Sequence, residues 1–146
     1  MMFKRIMELF NLSPEEAEQV DAMEAAGRGK VTLRKANRAV ASTEQQVAKA
    51  EQQLFNSRLE CQNRYRDYLH ARKQRPAARK AAGALEYVAR LRLAAGRWEI
   101  AERMCAKGRE RLVAAREARK EAKARQKKAS TLVRQATAVL QRGPQK

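Results

Sequence analysis

From about Val31 to Gln74 one position in every seven carries Leu33, Val40, Val47, Leu54, Cys61 and Tyr68. Three residues after each come Ala36, Thr43, Ala50, Ser57, Arg64 and Ala71. This repeat constrains the fold more than any other feature. Only a helix wound at about 3.5 residues per turn keeps such positions on one line, so the stretch reads as a coiled-coil helix. One seam position is large and the other mostly small.

A second seam follows. Leu91, Trp98, Cys105, Leu112, Val133 and Leu140 share one phase, interrupted by Arg119 and Gln126. Three residues on from these positions come Ala94, Ala101, Gly108, Ala115, Ala122, Ala129 and Ala136. Small residues on both seams let two helix axes approach closely. Between the seams Arg75-Pro76 breaks the helix, because Pro76 has no N–H and the residue before a proline avoids helical geometry. Pro76 suits the start of the second helix, which is expected over about Ala77–Gln141 and to end at Gly143-Pro144. A short break makes the helices antiparallel neighbours. Folding about it pairs residue i with roughly residue 152 − i. At ~1.5 Å per residue the helices are expected to be roughly 65 and 95 Å long. The first then covers the second to about Arg119, leaving a basic overhang from about Ala122.

The fold class is thus all-α: a long antiparallel two-helix coiled-coil hairpin with short N-terminal helices. The expected divisions are 1–26, an amphipathic helix over 2–12 followed by an acidic helix; 27–30, a linker; 31–142, the hairpin with its tip near 73–80; and 143–146, a tail. Phe3, Ile6, Met7 and Phe10 share one face of the first segment, as on a docking helix. Ser13 with Glu16 forms a capping box and Pro14 suits the first helical position. Val20 and Met23 mark the apolar side of the acidic helix, and Gly27 is expected to end it. Gly27-Arg28-Gly29-Lys30 lacks both the spacing of a phosphate loop and a preceding strand.

Charge is uneven. The formal net charge is +17 over 146 residues. Residues 1–26 carry two basic and six acidic side chains, whereas 77–146 carry nineteen and six. Such an excess reads as a solvated helical surface or as a surface for an acidic partner. The acidic N-terminal segment is complementary to the overhang and is expected to fold back onto it. No apolar run approaches the roughly 20 residues of a membrane span. The N-terminal apolar stretch is broken by Glu8, so it reads as retained, in a cytoplasmic protein.

Catalytic chemistry is not suggested. His70, the only histidine, has no cysteine or carboxylates at ligand spacing. Cys61 and Cys105 fall on the seams. In the expected register they lie ~14 residues, or about 20 Å, apart along the axis, too far for a disulfide. They read as small buried hydrophobes. No cofactor or metal is implied, and the chain reads as a non-enzyme.

Two stretches resemble a known family. Thr43-Glu44-Gln45-Gln46-Val47-Ala48-Lys49-Ala50, continuing to Tyr65-Arg66-Asp67-Tyr68-Leu69, resembles the first helix of the type III secretion stalk proteins (the YscO-like family, with the flagellar FliJ proteins as relatives). Arg109-Glu110-Arg111-Leu112 and Ala129-Ser130-Thr131-Leu132-Val133-Arg134 are similar to its second helix. In that family the first long helix starts near the N-terminus, whereas here short helices are expected before Gly27. The resemblance implies a cytoplasmic central stalk between a hexameric secretion ATPase and the export gate protein of the membrane, with export chaperones as further partners. The terminal end, with Arg109, Arg111, Arg116, Arg119, Lys120, Lys123, Arg125, Lys127 and Lys128, would meet the ATPase. The tip, with Tyr68, Arg72, Lys73, Arg75, Arg79 and Lys80, would meet the gate. Position and charge select these residues within that reading.

Two other classes compete. Nucleic-acid binding is suggested by Lys107–Lys128, with ten basic residues against three acidic ones. Against it, the basic residues ring the helix rather than form a stripe, and aromatics for base stacking are few. A purely structural, oligomerising coiled coil is the third class, in which Arg119 and Gln126 would set register.

Overall fold

Ser13 starts the first helix as its neighbours suggest. In a computed structural model that describes residues 11–76 and 81–142, the Glu16 amide donates to Ser13 Oγ and the Ser13 amide donates to Glu16 Oε2, both at 3.3 Å. This reciprocal pair satisfies two orphan donors of the first turn. Asn11, just upstream, adopts a φ of 49°, a left-handed conformation that asparagine tolerates. Helix α1 then runs without a break over Pro14–Lys73, and helix α2 over Ala81–Arg142. The expected helix at 2–12 lies almost wholly outside the described residues, as does the tail at 143–146.

The expected linker at 27–30 is helix instead. Neither Gly27 nor Gly29 takes a positive φ. Each glycine inside a helix costs about 1 kcal/mol relative to alanine. The compensation is packing, because the heptad of α1 extends backwards through Gly29, Ala26 and Ala22. Ala22 and Ala26 are 8% and 6% exposed. Met23, expected on the buried side, is 64% exposed; the side that packs is the small-residue one.

By its packing the chain divides into two units, Met1–Glu44 with Ala118–Lys146, and Gln45–Glu117. Each contains part of both helices. In the Gln45–Glu117 unit, Val47, Ala50, Leu54 and Leu112 form a buried core with Ala115 against it. Leu54 packs directly over Gly108, where an added Cβ would lie 3.3 Å from Leu54 Cδ1. In the other unit a Cβ on Gly29 would lie 2.9 Å from Val133 Cγ2. In both pairs the two residue numbers add to 162.

The expected register, adding to 152, is therefore wrong, and side-chain size explains why. At 162 each layer of the Gln45–Glu117 core joins a large residue to a small one: Val47 with Ala115, Ala50 with Leu112, Leu54 with Gly108. At 152 Leu54 would meet Trp98 and Val47 would meet Cys105, with gaps in the layers between. Interiors reject both overpacking and voids. The connection accommodates the shift. Tyr87 Oη donates to the Arg72 carbonyl at 3.2 Å, satisfying one of the last orphan acceptors of α1. Pro76 lies 3.9 Å from the place of a Cβ on Gly83. Pro76 itself is outside either helix.

In the terminal unit no basic overhang forms over 122–142. Ala122 and Ala129 are 6% and 4% exposed, and Gln126 Nε2 donates to Asn37 Oδ1 at 2.8 Å. α1 covers this stretch because it begins at Pro14 rather than near Val31. The acidic residues reach the terminal end within α1, not as short helices folding back. The ion pair that Glu24 makes is with Arg28 on its own helix, at 3.2 Å. Among the described residues no helix is long and apolar enough to cross a membrane.

Candidate partner-binding surfaces

The residues expected at the tip separate into two kinds. Arg72, Lys73 and Arg75 are exposed, at and just beyond the end of α1, where cations oppose the negative end of the helix dipole. Tyr68 is different. Its ring stacks on Trp98 with centroids 5.4 Å apart and planes at 29°. Tyr65 packs on the same indole at 4.8 Å. Tyr68 is thus committed to the helix interface rather than offered at the tip. Arg79 and Lys80 lie outside the described residues.

The basic residues of the ATPase-end set do not share one unit. Arg109, Arg111 and Arg116 belong to Gln45–Glu117, and Arg119, Lys120, Lys123, Arg125, Lys127 and Lys128 to the terminal unit. Two of them are paired across the helices: Arg116 with Glu51 at 3.3 Å and Lys123 with Glu44 at 3.6 Å. Arg119 is half-buried on the seam, while Arg111, Lys120, Arg125, Lys127 and Lys128 point into solvent. Exposed pairs of this type contribute roughly 0–1 kcal/mol. They orient the basic side chains more than they stabilise the fold.

One cluster was not anticipated. Cys61 and Cys105, expected to be far apart, line the same open groove with Tyr65, Trp98, Arg58 and Arg109. The corrected register brings them together: Cys105 lies level with Ser57, one turn from Cys61. Both cysteines are free; Cys105 is buried and Cys61 half-buried. Burial raises the Cys105 thiol above its ordinary value of 9.0; the Cys61 thiol adds to this, and Arg109 and Arg58 oppose it. The signal that could have found this cluster is the large-against-small rule applied to both seams, which selects the register without reference to Pro76.

On the opposite side Ile100 and Met104 are exposed, at 61% and 48%, along a shallow groove with Ser57 and Arg64. Arg64 is held there by Glu60 at 2.8 Å and Asp67 at 3.6 Å. Among the described residues no group of three or more His, Cys, Asp or Glu side chains could hold a metal ion. No protein-family model, curated protein or solved structure matches the chain.

Proposed function

We propose that the protein is a non-enzymatic stalk or adaptor of a type III protein secretion apparatus, acting in the cytoplasm between the secretion ATPase and the export gate. One observation supports the reading most: α1 and α2 are each about sixty residues long and pack through a small-residue seam, leaving most cationic side chains on the outside. A seam filled by alanine, glycine and single large residues commits little of the basic surface to folding. That surface is then available to acidic partners. A first long helix beginning at Pro14 also agrees with the family pattern better than short helices would. On this reading Arg111, Lys120, Arg125, Lys127 and Lys128 face the ATPase, and Arg72, Lys73 and Arg75 face the gate.

A pull-down from cells carrying such an apparatus tests it. Capture of the hexameric ATPase that persists with nuclease present supports the stalk. Capture of nucleic acid alone, lost as salt rises from 50 to 200 mM, identifies the basic surface as a phosphate-binding one instead, since six to ten phosphate contacts lose roughly 10³–10⁵ in affinity over that range.

A further inference from the structure

We propose that Cys61 and Cys105 are a redox pair that closes to a disulfide between α1 and α2 when the protein meets an anionic low-molecular-weight disulfide. The two cysteines lie across the seam from each other, one helical turn apart in level, and line one groove open to solvent. Burial, and after it the neighbouring Cys61 thiol, raises the pKa of Cys105. Their seam partners are small: Ser57 is level with Cys105 and Ala101 with Cys61. Closing to the ~2.05 Å of a disulfide requires the two sulfurs to approach across this seam.

The two cysteines have unequal access, which sets the order of events. Cys61 is half-buried and Cys105 buried, so Cys61 attacks first. Arg58 and Arg109 in the groove draw in a negatively charged disulfide, with Glu102 the opposing charge there. The Cys61 thiolate attacks one sulfur of the small disulfide. That S–S bond breaks, a mixed disulfide forms on Cys61, and the released thiolate takes up the proton Cys61 lost. Cys105 then loses its proton and attacks the Cys61 sulfur. The second small thiolate leaves and takes that proton. Two cysteine thiols are oxidised, and one small disulfide is reduced to two thiols.

The consequence is mechanical. A seam of alanines specifies register less firmly than interlocking large residues do. A covalent bond from Cys61 to Cys105 fixes that register and closes a loop of about 45 residues, which raises the melting temperature of the oxidised chain by about 10 °C.

The full chain treated with glutathione disulfide, quenched with acid and alkylated, tests this by peptide mapping. The expected product is a single chain two hydrogens lighter, with the Cys61 and Cys105 peptides joined. Trp98 emission falls as the disulfide forms beside the indole, and reductant reverses both this and the rise in melting temperature. Cys105→Ser is expected to stop at the mixed disulfide on Cys61, and Cys61→Ser to react slowly or not at all. A wild-type chain that keeps the glutathione adduct on Cys61, links into dimers through Cys61, or leaves both cysteines free for alkylation overturns the proposal. The wild-type map decides the matter by itself if either serine variant fails to fold.

Discussion

Gly27 and Gly29 lie two residues apart, yet replacing each with alanine should move stability in opposite directions. Alanine is favoured over glycine inside a helix by about 1 kcal/mol. At Gly27 an added Cβ meets nothing within 4 Å, so Gly27→Ala should stabilise by about that amount and raise the melting temperature by about 3 °C. At Gly29 the same propensity gain is opposed by Val133, whose Cγ2 would lie 2.9 Å from the new Cβ. Valine is stiff about χ1, so its methyl cannot swing aside and α2 must give way. Overpacking of this kind costs about 1–3 kcal/mol. Gly29→Ala should therefore be less stable than Gly27→Ala by about 1–3 kcal/mol, and less stable than the wild type by about 1 kcal/mol. Far-UV circular dichroism melts and urea titrations measure this, with unchanged urea slopes showing that the unfolded state is not responsible. If Gly27→Ala destabilises instead, Gly27 is a left-handed helix cap and α1 ends there; if both variants gain equally, Gly29 does not face Val133.

Leu54→Ala truncates one of the two leucines of the Gln45–Glu117 core, where Leu54 is 5% exposed, and should cost about 2–4 kcal/mol in urea unfolding. Ser13→Ala removes the capping box and should cost about 1 kcal/mol locally, read as faster amide exchange at Glu16. Glu51→Gln breaks the exposed pair with Arg116 and should lower stability by less than about 1 kcal/mol, an effect that disappears in high salt. The raised Cys105 thiol makes the folded chain prefer the neutral form. Its contribution is full below pH 9.0, the ordinary value, and is lost as pH rises above it. Unfolding midpoints should fall at alkaline pH, and less steeply in Cys105→Ser.

Every heptad position read from Leu33 to Ala71 is buried or half-buried in the structure, as is every one from Leu91 to Leu140. That much was legible because periodicity is a local property of one helix. Register is not local. Anchoring it on Pro76 assumed that the helices pair symmetrically about that residue, whereas Pro76 lies outside either helix and beside Gly83 of α2. The ten-residue error that resulted hid the meeting of Cys61 with Cys105 and the stacking of Tyr68 on Trp98. The glycines at 27 and 29 misled for a different reason. Glycine near a helix end commonly stops it, but at Gly29 the absent side chain makes room for Val133. The resemblance to secretion stalks came from residue content along the helices, which carries no information about the partner at either end.

The register is the claim on which the rest depends, and Trp98 reports on it directly. Nuclear Overhauser effects from the indole of Trp98, the single tryptophan, should reach the rings of both Tyr65 and Tyr68, whose centroids lie 4.8 and 5.4 Å away. Contacts from the indole to the Leu54 methyls in place of those rings would return the helices to the register that sums to 152 and contradict the account.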